Sequence, residues 1–262
     1  MLISIHQPNY LPRPKVIDKL LAVDLVVILD DVQYVSREWQ NRALVMHPSG
    51  HVRWLTVPVF TKGKSAQLIK DCQIVNDSNW PHKHLETIRS FYHESRWISL
   101  FEEYVAPLWE EQATELEPLC ISSTMRLLSA MGRQADFIYS QDLSNDEFSR
   151  SLPEDPSFLA GVNPQSSSEV SEQLHRNIRT TARLVDICRA VGATGYVSGS
   201  GGLSYLIPDL FRYAGIKLYL QCDKVPNQAA WKSRSLLDSL LVRGPGQTQR
   251  LLLKGTYGEL SS

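Results

Sequence analysis

LISIHQPNYLPRP, residues 2–14, and LVVILDDVQY, residues 25–34, decide how this chain folds. Each opens as a short apolar run, Leu2 to Ile5 and Leu25 to Leu29, and each stops abruptly in polar residues. Between them, Pro12-Arg13-Pro14 leads into Lys15 to Val23, where Val16, Ile17, Leu20 and Leu21 recur at helical spacing. Pro14 suits a first helical turn, because its missing N–H would be unpaired there in any case. Strand, helix and strand in so short a span imply parallel strands joined by a right-handed crossover, which brings both polar exits to one edge of the sheet. A buried strand has no need of so many hydrogen-bonding groups at its exit, whereas a ligand site at the carboxyl ends of parallel strands does.

Outward from this unit, residues 42–76 read as strand-rich. Arg42 to His47, Val52 to Phe60 and Leu68 to Val75 are separated by turns at Pro48-Ser49-Gly50 and Lys62-Gly63-Lys64, which predicts an antiparallel meander of two or three strands. A helical middle region spans about 77–133. Asp77 or Ser78 caps a helix running to Tyr92, and further helices occupy roughly 97–113 and 116–132. Ser140 to Glu172 is polar and poor in aliphatic residues, so it reads as a long loop, either disordered or a flap over the site. Regular structure resumes with a helix from Arg179 to Val191, a strand from Gly195 to Val197, the loop Ser198-Gly199-Ser200-Gly201-Gly202, a short helix to Tyr213 and a strand from Ile216 to Leu220. The pattern is an α/β fold: a partly parallel mixed sheet flanked by helices, with a small meander, read as a single domain over residues 1–262.

Composition narrows the function. Twenty-seven basic against 28 acidic residues give a net charge of −1 and no bias toward DNA or membrane lipid. Cys72, Cys120, Cys188 and Cys222 are widely spaced, which suggests neither a zinc knuckle nor a disulfide framework and fits a reducing, cytoplasmic setting. No apolar run reaches the roughly 18 residues of a membrane span, and Met1 leads straight into a strand, so a soluble, unprocessed protein is expected.

The motifs His6-Gln7-Pro8-Asn9-Tyr10-Leu11-Pro12, Leu29-Asp30-Asp31-Val32-Gln33-Tyr34 and Trp39-Gln40-Asn41-Arg42 resemble those of the WbqC-like family. Trp54-Leu55-Thr56-Val57-Pro58-Val59, Gly195-Tyr196-Val197-Ser198-Gly199 and Ser235-Leu236-Leu237-Asp238-Ser239-Leu240-Leu241 extend the resemblance over nearly the whole chain. It implies a place in the biosynthesis of O-antigen, other surface glycans or secondary metabolites, and a glycyl or other aminoacyl transferase activity. The acceptor would be an amine or amino sugar, and the donor an acyl or aminoacyl carrier protein or another activated species.

Such a reaction needs a base for the incoming amine, donors for a tetrahedral oxyanion and a hold on the donor's phosphate arm. His6 is the natural base by its near-neutral pKa, with a purely structural hydrogen bond as the plainer alternative. Asp30 or Asp31 is expected to orient the imidazole or bind the ammonium. Adjacent carboxylates on extended backbone face opposite ways, so Asp31 pairs with Gln33 on one face if the strand continues, and Asp30 caps or pairs. Asn41 and Arg42 suit a carboxylate, phosphate or sugar hydroxyl, the alternative being an internal ion pair with Asp30 or Asp31. Gln7, Asn9, Tyr10 and Tyr34 join the substrate-binding set from the same clusters. Ser198 and Ser200 sit in a glycine-containing loop after a strand, where backbone N–H groups can receive an anion, although the loop matches neither a dinucleotide nor a Walker motif.

His82 and His84 fall on different helix faces, so no metal site is read there, and no cofactor is assigned. Cys120 and Cys188 read as buried thiols. Two alternatives stand beside the transferase: an ATP-dependent adenylating or nucleotidyl-transferring enzyme, and a non-catalytic binding protein of a glycan pathway.

Overall fold

The computed structural model describes residues 1–64, 66–143, 146–153, 159, 168–222, 233–252 and 256–260. Strand β1 (Leu2–His6) is followed by a helix, Pro14–Leu20, and by β2 (Leu25–Ile28), and the two strands pair in parallel from Ile3 opposite Leu25 to His6 opposite Ile28. The two polar exits therefore share one edge, as the crossover argument requires. β3 (Arg42–Met46) and β4 (Val52–Thr56) form a separate antiparallel hairpin. β5 (Phe137–Tyr139), β6 (Gly195–Ser198), β7 (Lys217–Cys222) and β8 (Thr256–Glu259) complete a six-stranded sheet in the order β5-β2-β1-β6-β7-β8. All its pairings are parallel except β7 with β8. The fold is α/β with a mixed sheet, as the sequence predicts.

Alternation along the strands divides the core between the two faces of the sheet. Ile3, Ile5 and Val27 pack with Val185, Cys188 and Leu210 on one face, whereas Val26 and Ile28 pack with Ile17 and Leu20 on the other. Each such side chain, fully removed from water, contributes about 1.5–3 kcal/mol. Among the described residues no helix is long and apolar enough to cross a membrane.

Several sequence expectations are corrected. Leu68 to Val75 is not a third strand: it holds the 3-10 turn Ile69–Asp71 and meets its neighbours through isolated bridges and scattered backbone hydrogen bonds rather than a ladder. The continuous helix expected over 97–113 breaks into Ile98–Leu100, a π turn at Phe101–Val105 and a 3-10 turn at Ala106–Trp109, because Pro107 has no N–H to give to the carbonyl four residues back. The loop expected over 140–172 contains a 3-10 turn at Ser140–Asp142, the short helix Glu147–Ser151 and the first residues of a long helix, Ser168–Ala190, that begins well before Arg179. Residues 144–145, 154–158 and 160–167 of that stretch lie outside the described residues.

Candidate functional site

In sequence order the sheet is built outward from β1 to β2 and β5 on one side, and from β6 to β7 and β8 on the other. The boundary between β1 and β6 is the topological switch point, where α/β sheets open a crevice beyond the carboxyl ends of their strands. A cleft of about 480 Å³ lies there. His6, Gln7 and Asn9 line it from the exit of β1, Ser198, Gly199, Gly201 and Gly202 from the exit of β6, and Arg13, Lys15 and Lys19 from the crossover segment. A larger hollow of about 650 Å³, bordered by Asp24 and Asp136, sits at the amino ends of β2 and β5, the edge where this architecture does not place ligands.

His6 is the last residue of β1, and the prolines that follow stop the strand and turn the chain across the cleft floor. The loop is held tightly. Tyr10 N–H donates to Trp39 O at 3.2 Å, Leu11 N–H donates to Ser123 Oγ at 3.0 Å, and Leu11 is fixed at φ 43, a left-handed conformation that a branched side chain rarely adopts. The His6 ring is bonded at both nitrogens. Nε2 lies 3.2 Å from Asn9 Oδ1, and Asn9 Nδ2 donates to Pro8 O at 3.0 Å, so the amide presents its oxygen and Nε2 carries the hydrogen. Nδ1 is then the lone-pair nitrogen, 3.2 Å from Lys19 Nζ. Burial first, and then the Lys19 charge, hold His6 well below the usual histidine range, so the ring is neutral.

Lys19 is 5% exposed, and its Nζ also donates to Ile5 O at 3.2 Å. Burial, reinforced by the Lys15 charge, pulls it down to about 7. Gln7 Oε1 accepts from Gln40 Nε2 at 2.8 Å, and Gln40 Oε1 accepts from the Val35 N–H at 3.0 Å, which locks one side of the cleft mouth. The other predicted residues lie elsewhere. Asp30 is fully buried, accepting from Ser140 Oγ at 3.0 Å and from the Gln141 N–H at 3.4 Å. Asp31 accepts from the same hydroxyl at 2.7 Å and pairs with Arg183. Burial opposes its ionisation, but Ser140 and Arg183 outweigh burial and hold Asp31 below the usual carboxylate range. Gln33 is exposed and bridges to Leu68, so it does not stay with Asp31 on a continuing strand.

Tyr10 is buried, its hydroxyl 3.0 Å from His84 Nδ1 and accepting from Trp109 Nε1 at 2.9 Å. Tyr34 is buried as well. Asn41 Nδ2 donates to Val57 O at 2.9 Å. Arg42 makes no ion pair with Asp30 or Asp31: its guanidinium lies over Trp54 at 4.1 Å, Trp54 meets Trp39 at 5.2 Å between ring centroids, and Arg13 covers Trp39 at 4.1 Å. Ser198 lines the cleft together with the glycines on either side of Ser200. Among the described residues no three His, Cys, Asp or Glu side chains converge as metal ligands.

The structure thus gathers His6, Gln7, Asn9 and Ser198, puts Asp30 and Asp31 at the neighbouring exit of β2, and keeps Tyr10, Asn41 and Arg42 in the packing that supports the loop. Lys19 and Gln40 escape the sequence reading. Lys19 had a signal, because it adjoins the apolar row Val16, Ile17 and Leu20 on a short buried helix, where a lysine is costly. Gln40 had a signal as well, since it stands inside the motif Trp39-Gln40-Asn41-Arg42.

The profile of the WbqC-like protein family matches residues 7–250. The uncharacterized protein Rv1507c of Mycobacterium tuberculosis is 28% identical over 217 residues, which cover 82% of this chain and 80% of that protein. No solved structure matches the chain.

Proposed function

Taking as premise that the chain belongs to the WbqC-like protein family, we propose that it transfers an acyl or aminoacyl group, such as glycyl, from an activated donor to an amine acceptor. The setting is the cytoplasmic assembly of a surface glycan or secondary metabolite, with the whole chain acting as one α/β unit. One observation carries the reading: a neutral imidazole with a defined lone-pair nitrogen stands in a cleft at the switch point of the sheet. A base for amine attack must be unprotonated, and desolvation provides that condition at neutral pH.

In the proposed reaction the acceptor nitrogen, in its amine form, attacks the donor's carbonyl carbon. The C–N bond forms as the carbonyl π pair moves to oxygen. Once Lys19 Nζ has moved off its lone pair, Nδ1 of His6 takes a proton from the nitrogen, the tetrahedral intermediate collapses with cleavage of the C–S bond of a thioester, and the proton passes to the departing sulfur. Gln7, held at its carbonyl oxygen by Gln40, has its amide hydrogens available for a substrate oxygen. Asp31, Ser140 and Arg183 form a bonded network at the neighbouring exit of β2 and act as positioning groups.

The test is incubation of the purified protein with glycyl and other aminoacyl thioesters and a panel of amino-sugar acceptors, read by product mass. Amide product is expected, and His6→Ala should slow its formation by about 10²–10⁴-fold. Absence of product across carrier-bound, coenzyme-bound and tRNA-bound donors removes the reading.

A further inference from the structure

Two features of the same cleft go unused by amine attack. The first is the charge of its walls: among the described lining residues, Arg13, Lys15 and Lys19 are basic and Glu38 alone is acidic. Lys19 is the extreme case. It is 95% hidden from solvent, and the partners of its Nζ are a backbone carbonyl and an imidazole, with no carboxylate pairing it among the described residues. A buried ammonium without a counter-charge is costly, and an anionic ligand recovers that cost on binding. Two of its three donor positions are occupied, which leaves one for the ligand.

The second feature is the loop opposite. A Cβ at Gly199 or Gly201 would meet no atom within 4 Å, and neither residue has a positive φ, so neither packing nor backbone conformation demands glycine at these positions. Gly202 differs, since a Cβ there would collide with Ser198 and Leu206. Glycine without an internal reason, on a loop that lines a cleft, fits close approach of a ligand to the backbone.

We propose that this part of the cleft is a phosphate subsite, with Lys19, Lys15 and Arg13 on one wall and the backbone at Gly199 and Gly201 on the other. Its ligand is the phosphoryl group of a phosphopantetheine arm. That arm ends in the thiol that carries an acyl group; because Lys19 Nζ lies 3.2 Å from His6 Nδ1, the arm folds back on itself within the cleft to bring its thioester beside the imidazole. Drawing Lys19 Nζ toward the phosphate also releases Nδ1 of His6 for the amine proton. The identity of the arm rests on the transferase reading; the phosphate site itself does not.

Binding of 4′-phosphopantetheine is compared with binding of pantetheine by calorimetry on the full chain, with inorganic phosphate as competitor. The phosphorylated compound should bind at least tenfold more tightly, and Lys19→Gln and Gly201→Val, each confirmed folded by its thermal transition, should each erase the difference. Equal binding of the two compounds, or a preference that survives both substitutions, overturns the subsite. Coenzyme A and a phosphopantetheinylated carrier protein, run in parallel, tell which source presents the group; binding of either that is lost in Lys19→Gln supports the site, and binding of neither overturns it. Turnover is read separately with the same aminoacyl group on N-acetylcysteamine, which has no phosphate. Turnover without any phosphate preference sinks the subsite and leaves transfer standing, whereas phosphate preference without turnover of any thioester does the reverse.

Discussion

Lys19 is destabilising where it sits. Its folded pKa of about 7 lies below the lysine reference of 10.5, so between those values the unfolded chain binds more protons and stability falls as pH drops through the window. Lys19→Met should raise stability at pH 7 by about 1–3 kcal/mol, and should flatten that limb of the stability–pH curve measured by urea unfolding. A second window belongs to His84. Burial, with Arg53 adding to it, lowers its pKa to about 4 from 6.5, so stability should fall as pH drops from 6.5 toward 4, by about 3 kcal/mol from this residue. His6 shifts in the same direction. The difference between wild type and His84→Phe over that range isolates the contribution, and parallel curves would contradict it. Sequence alone marks these histidines but not their protonation, because both shifts come from burial among residues distant in the chain.

The helix Leu236–Arg243 is fixed at both ends by single residues. Ser235 caps its start, with Oγ accepting from the Leu237 N–H at 3.2 Å, and Ser235→Ala should cost about 1 kcal/mol. Gly244 ends it at φ +80, and a Cβ there would lie 2.2 Å from Trp97 Cε2. Gly244→Ala combines left-handed strain with a ring collision and should cost about 2–4 kcal/mol by chemical denaturation.

The elements legible in the sequence were the apolar runs and amphipathic stretches: β1, the crossover helix, β2, the hairpin of β3 and β4, the helices Trp80–Tyr92, Leu116–Ser129 and Pro208–Tyr213, and the strands β6 and β7. β5 escaped because three residues make too short a run, β8 because Thr-Tyr-Gly-Glu carries no apolar pattern, and the pairings of both lie far along the chain. The early start of the helix Ser168–Ala190 escaped for another reason. Its first half has only the narrow row Val170, Leu174 and Ile178 at i, i+4 spacing, within a segment whose polar composition resembles a loop.

Across the whole molecule, the candidate site was half legible. Polar strand exits pointed to the edge of the sheet where the cleft lies, since β1 and β2 are tied by a short crossover. Which exits converge depends on the pairing of Leu2 with Gly195, 193 residues apart in sequence, and that pairing brings the Ser198 loop to His6 while leaving Asp31 with Ser140 and Arg183 one strand away. No local pattern encodes such a neighbour. The order of effects in the transfer assay follows: His6→Ala should act mainly on kcat, whereas Asp31→Asn, which loosens the network with Ser140 and Arg183 one strand away, should cost less than tenfold. The most direct measurement is a crystal structure with a stable thioether analogue of glycyl-phosphopantetheine. The account predicts density between His6 and the 198–202 loop, with the glycyl group beside the imidazole. Density confined to the hollow at the amino ends of β2 and β5 would contradict it.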